Sequence, residues 1–183
     1  MTFISDQGSN AIDETQLRSP VTRAGYEYWL RKKGDRRFPS RTEFDPLLEV
    51  PRLARHIVLV EVLRDPLDFR YRLIGTAIRD NMVADWTGLR LSEIPMQRAP
   101  NPIWQHHEWV VEHRAPRFYR PAYLGPYKEF KFIESAQLPL GGDDSTVDMM
   151  MVFVDFLTKV AIQPPRLNRL SGSVSPVHPL PRR

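Results

Sequence analysis

Phe69-Arg70-Tyr71-Arg72-Leu73-Ile74-Gly75-Thr76-Ala77-Ile78 decides the fold. Side chains alternate across a strand. The first five residues therefore put Phe69, Tyr71 and Leu73 on one face and Arg70 and Arg72 on the other. Gly75-Thr76 ends the alternation, and Thr76 to Ala84 reads as a short helix. Upstream, His56 to Leu63 is rich in Val, Ile and Leu, and Arg64-Asp65-Pro66-Leu67-Asp68 is turn chemistry. Two such runs joined by a short turn make an antiparallel hairpin. Downstream, Trp86-Thr87-Gly88-Leu89-Arg90-Leu91-Ser92-Glu93-Ile94 gives a turn at Thr87-Gly88 and a short helical piece at Leu91 to Ile94.

Helices and strands extend outward from this hairpin. Ser19-Pro20 is an N-cap followed by proline at the first helical position. Val21, Gly25, Tyr28, Trp29 and Lys32 follow at helical spacing, and Gly34 stops the helix. Ser40 to Leu48 reads as a loop or short helical connection between Pro39 and the following Val50 to Arg55 turn. Asn101 to His113 is the longest central helix, with Ile103, Trp104, His107, Val110 and Val111 on its apolar side. Three strands come after it: Arg117 to Leu124, Glu129 to Leu138 and Val147 to Leu157. Gly125-Pro126-Tyr127-Lys128 and Gly141-Gly142-Asp143-Asp144 connect them. Strands flanking a helical insert predict an α+β domain with an antiparallel sheet over residues 19–162. Residues 1–18 and 163–183 read as disordered, the latter a Pro/Arg-rich basic tail.

Composition removes several function classes. The chain has 183 residues and no cysteine. Disulfides, zinc–thiolate sites and thiol nucleophiles are thereby excluded, and a reducing compartment is expected. Arg166, Arg169, Arg182 and Arg183 of the tail equal the whole net charge of +4. The rest of the chain is balanced, so it lacks the clustered basic face that phosphate neutralisation requires, and nucleic acid is not an expected partner. The N-terminus has no apolar leader core, and the longest apolar run, Met149 to Val154, is too short to span a bilayer. A cytoplasmic location is the expectation. No Gly-x-Ser-x-Gly elbow or phosphate-binding glycine loop occurs, so an enzyme is not expected.

The chemistry-bearing clusters each have a plainer reading. His106, His107, Glu112 and His113 could ligate a metal, but the His-Glu-x-x-His spacing is absent and Trp104 and Trp109 mark a packing helix. Asp143, Asp144 and Asp148 lack the calcium-loop spacing and suit a hairpin turn. Arg70, Arg72, Arg117 and Arg120 could hold an anionic ligand. A buried charge needs a partner, and salt bridges to Glu61 or Glu134 are the preferred reading. Met149, Met150, Met151, Phe153 and Phe156 make a strand apolar on both faces, which suits a central strand covered twice, with the N-terminal helix over the side away from the short helices.

The blocks Glu43-Phe44-Asp45-Pro46, Leu53 to Val62, Phe69 to Ile78 and Thr87-Gly88-Leu89-Arg90-Leu91 together resemble the PAS domain family, in particular short bacterial proteins made of one PAS domain. The resemblance runs from about Tyr26 to Leu157. It implies a five-stranded antiparallel sheet with short helices folded across one face, beside the N-terminal amphipathic helix. It implies a non-enzymatic sensory or regulatory module in bacterial signalling that binds a small ligand, a protein partner or a second copy, and it fixes no cofactor. A pocket, if present, is expected among Tyr71, Leu73, Trp86, Trp104, Tyr119, Met149 and Met151. A homodimer is expected through Val21, Gly25, Tyr28 and Trp29. The alternatives are a ligand-free adaptor or scaffold, and a haem- or metal-binding sensor using the histidines of the central helix.

Overall fold

The computed structural model describes residues 10–123 and 127–158. The predicted disordered tail, the end of the third predicted strand at Leu124 and residues 1–9 lie outside them.

Six strands form one antiparallel sheet: β1 (Ala11–Ile12), β2 (Ile57–Leu63), β3 (Asp68–Ile74), β4 (Arg117–Tyr119), β5 (Phe130–Leu140) and β6 (Met149–Thr158). Their order is β1-β4-β5-β6-β2-β3. The five predicted strands are all present. The sixth, β1, falls inside the segment expected to be disordered. It pairs Ala11 with Tyr119 and Ile12 with Phe118, and so covers the open edge of β4. Such two-residue pairing carries no periodicity, and only the buried Leu17 just beyond it marks the segment as part of the fold. The predicted third strand is shortened to Arg117–Tyr119, because Pro121 has no N–H to continue the ladder. Contact resumes at the isolated Ala122–Phe132 bridge.

Helix α1 (Pro20–Lys33) starts and stops where its sequence says. The Ser19 hydroxyl accepts from the Val21 and Thr22 amides, and Gly34 ends the helix with φ near +54°. It crosses the sheet face formed by Glu134, Ala136, Leu138, Met151 and Phe153. Trp29 Nε1 donates to the Pro139 carbonyl at 2.8 Å. Gly25 lies directly on the Phe153 ring, where a Cβ would stand 2.3 Å from its carbons. Tyr28 meets Phe44 edge-on at 4.7 Å. Gly25, Tyr28 and Trp29 are therefore buried inside one copy of the domain. Contrary to expectation these three residues cover their own sheet, and Val21 is half-buried against the same core. The outer side of α1 carries Arg23, Glu27, Leu30 and Arg31.

One polar cluster holds this layer. Glu134 is fully buried on β5. It accepts from the Ser19 amide (2.8 Å), the Arg18 amide (3.1 Å), the Thr22 hydroxyl and the Arg120 guanidinium (2.7 Å). Burial alone would raise its pKa. The bonds from Thr22, Ser19, Arg18 and Arg120 outweigh that, and hold the carboxyl below its usual range.

Short helices α2 (Pro46–Glu49) and α3 (Pro51–Ala54) lead into β2. The opposite sheet face is covered by α4 (Thr76–Arg79), a 3-10 turn at Leu91–Glu93, and α5 (Pro102–His113). Asn101 caps α5 by accepting from the Ile103 amide, with Pro102 at the first helical position.

Candidate functional site: a cavity between sheet and helices

The wall of the site begins at an irregularity in the β2–β3 pair. Val60 pairs with Tyr71, but the adjacent Leu59 pairs with Leu73, leaving Arg72 as an extra residue on β3. Such a bulge reverses side-chain parity beyond it. Tyr71 and Ile74 consequently face the helices together with Val58 and Val60, while Leu73 turns to the α1 side beside Leu59.

Beneath the helices is a cavity of about 410 Å³. Its floor is Val58 and Val60 of β2, Tyr71 and Ile74 of β3, Ile133 of β5, and Val152, Val154 and Phe156 of β6. Ile78, Met82, Trp86, Gln97, Ile103 and His107 form the roof, and Tyr119 and Tyr123 close one side. Among the described residues no Asp, Glu, Lys or Arg lines it. Val83 (71% exposed) and Met96 (59%) stand at its mouth.

The polar wall residues are few: Asn81, Gln97, His107 and the tyrosines Tyr71, Tyr119 and Tyr123. The Tyr71 hydroxyl donates to Gln97 Oε1 at 2.8 Å. Burial, then the neighbouring Tyr119, pushes the Tyr71 phenol well above its ordinary pKa, against the opposing pull of Gln97. Burial likewise raises Tyr119. Gln137 Nε2 stands 2.9 Å from His107 Nδ1. Burial, reinforced by His106, lowers His107 to about 3, only partly countered by the Gln137 bond. The ring is neutral at pH 7. With the Gln137 amide nitrogen facing the ring and its Oε1 unpartnered, Nδ1 is the acceptor and the ring proton is assigned to Nε2. That Nε2 has no hydrogen-bond partner among the described residues, and neither has the buried Tyr123 hydroxyl.

Of the residues expected at a pocket, Tyr71, Trp86 and Tyr119 are brought together in this wall. Leu73 is turned away by the bulge. Trp104 packs edge-on against Phe69 at 5.2 Å, outside the cavity lining. Met149 and Met151 point to the opposite face, because Val152, Val154 and Phe156 take the cavity side of β6. Met149 instead lines a second hollow of about 340 Å³ with Phe44, Leu59 and Leu140. Reading the sequence missed His107, Gln97 and Tyr123 as wall residues. His107 was weighed as a metal or haem ligand, and its position on the apolar side of α5 was the available signal.

The arginine expectation holds at Arg70, Arg72 and Arg120. Arg70 and Arg72 reach Glu61 at 3.4 and 3.8 Å, and Arg120 reaches Glu134. Arg117 lies over the Trp109 ring at 4.6 Å. The histidines are dispersed: His106 stacks on Tyr119 at 4.0 Å and His113 on Trp109 at 4.1 Å. Among the described residues no group of three His, Cys, Asp or Glu side chains is placed to hold a metal ion. None of their helices is long and apolar enough to cross a membrane.

The fold is an antiparallel sheet roofed on one face by the chain between its hairpin and its last three strands, with a hollow under the roof. A family model described as PAS domain matches residues 17–121, and the chain belongs to that family. The match ends before β5 and β6, which complete the sheet and supply the far half of the floor. No curated protein and no solved structure matches the chain.

Proposed function

We propose that this PAS domain is a non-enzymatic sensor that holds an uncharged small molecule in the cavity and relays its occupancy to a signalling partner or a second copy in the cytoplasm. The cavity itself carries this reading: about 410 Å³, lined by aliphatic, aromatic and neutral polar side chains without a formal charge. An ionised ligand there would lose its hydration with no counter-charge, which is costly. A mostly apolar wall with a few buried polar groups is the usual composition of a small-molecule site. Tyr71, Trp86 and Tyr119 are the proposed contacts from the expected set. The cofactor, if any, is left open by the family.

Exposed Val83 and Met96 at the mouth favour a second reading, an adaptor whose protein partner covers the opening. Native mass spectrometry of freshly purified protein, with an absorbance spectrum, separates these. A released neutral adduct supports the sensor. An adduct-free protein that also fails to take up neutral aromatic probes supports the adaptor. A Soret band would replace both with a haem sensor.

A further inference from the structure

We propose that the molecule held in the cavity is largely apolar and presents a carbonyl-type oxygen to the Nε2–H of His107. This rests on the cavity being a ligand site. His107 is 3% exposed, lies in the cavity wall, and has its Nε2 unpartnered. A buried donor without an acceptor costs about 1–3 kcal/mol, so an acceptor arriving there removes a penalty already built into the fold. Gln137 fixes the ring through Nδ1 and thereby sets which nitrogen donates.

Another unpartnered group, the Tyr123 hydroxyl, lies elsewhere in the same wall. Tyr123 meets Phe156 edge-on at 5.7 Å, and Phe156 pairs with Ile133 on β5. His107 sits instead at Gln137, four residues further along that strand. Ile133, Val152 and Val154 line the floor between these two positions. The occupant is thus largely apolar, with a hydrogen-bonding atom placed at His107.

Benzophenone and diphenylmethane share a skeleton and differ in one carbonyl, which makes them the probes. Calorimetric titration of the full chain is expected to show that His107→Phe weakens benzophenone about five- to tenfold, the worth of one hydrogen bond, and leaves diphenylmethane within about twofold. Wild-type protein with ¹⁵N-labelled histidine supplies an independent reading that needs no variant. His107 should show the Nε2–H tautomer, and its Nε2 resonance should move with benzophenone but not with diphenylmethane. An Nδ1–H tautomer, or equal responses to the two probes, overturns the inference while leaving the cavity a ligand site. Failure of both probes to bind the wild type overturns the cavity reading and this inference with it.

Discussion

Acidification from pH 7 to pH 5 should destabilise the protein through His107. A free histidine titrates near 6.5, whereas burial holds His107 at about 3. Above about pH 6.5 the ring is neutral in both folded and unfolded chains, and nothing changes. Below it the unfolded chain takes up the proton first, so stability falls by about 1.4 kcal/mol for each pH unit until the folded ring also titrates. Between pH 6.5 and 5 the loss is about 2 kcal/mol, and it is the same for any folded value below about 4. Glu134 does not contribute in this window. Its carboxyl is held below the ordinary value of 4.5, so its stabilisation is full above that value and is lost only as pH falls further. Urea unfolding followed by tryptophan fluorescence measures the effect. With a slope of about 2 kcal/mol per molar urea, the midpoint should fall by about 1 M. His107→Phe should remove that fall. A wild-type midpoint flat from pH 7 to 5, or an equal fall in the variant, would refute the reasoning.

Gly25→Ala gains about 1 kcal/mol of helix propensity but drives a methyl into the buried Phe153 ring. Overpacking of about 1–3 kcal/mol should win, and Phe153→Leu in the same chain should restore the melting temperature lost by the single variant. Glu134→Gln leaves Arg120 without its counter-ion and should cost about 3–5 kcal/mol in urea unfolding; a change under about 1 kcal/mol would show that the cluster is solvated. Trp29→Ala should destabilise by about 3–5 kcal/mol as a core truncation. If the chain dimerises through α1, Leu30→Glu on the outer side should lower the mass seen by light scattering without unfolding the domain.

The large elements were legible because local chemistry and burial agree in them. Ser19-Pro20 and Gly34 bracket α1, Asn101-Pro102 opens α5, and every predicted strand has its counterpart. The site was half legible, and the reasons lie in parity. Alternation along Phe69 to Leu73 is strict in sequence, yet the unpaired Arg72 reverses it, and no residue type there announces a bulge. Met149 to Val154 is apolar at every position, so a strand covered on both faces gives no sign of which side faces the cavity. The first polar break, Asp155, belongs to the α1 side through the Ser19 hydroxyl 2.7 Å away, a contact 136 residues distant in sequence. The aromatic seam of α1 suggested an interface because a helix that must cover a sheet and one that must cover its twin look alike in sequence.

The apolar cavity between the sheet and α5 should admit neutral molecules and exclude charged ones. N-phenyl-naphthylamine and anilinonaphthalene sulfonate share a ring system, and only the second is an anion. Fluorescence titration should show the neutral dye binding one molecule per chain, displaced in Ile133→Trp, whose indole fills the floor, with the sulfonate failing to enter. Equal binding of the two dyes, or neutral-dye binding unchanged in a folded Ile133→Trp protein, would contradict it.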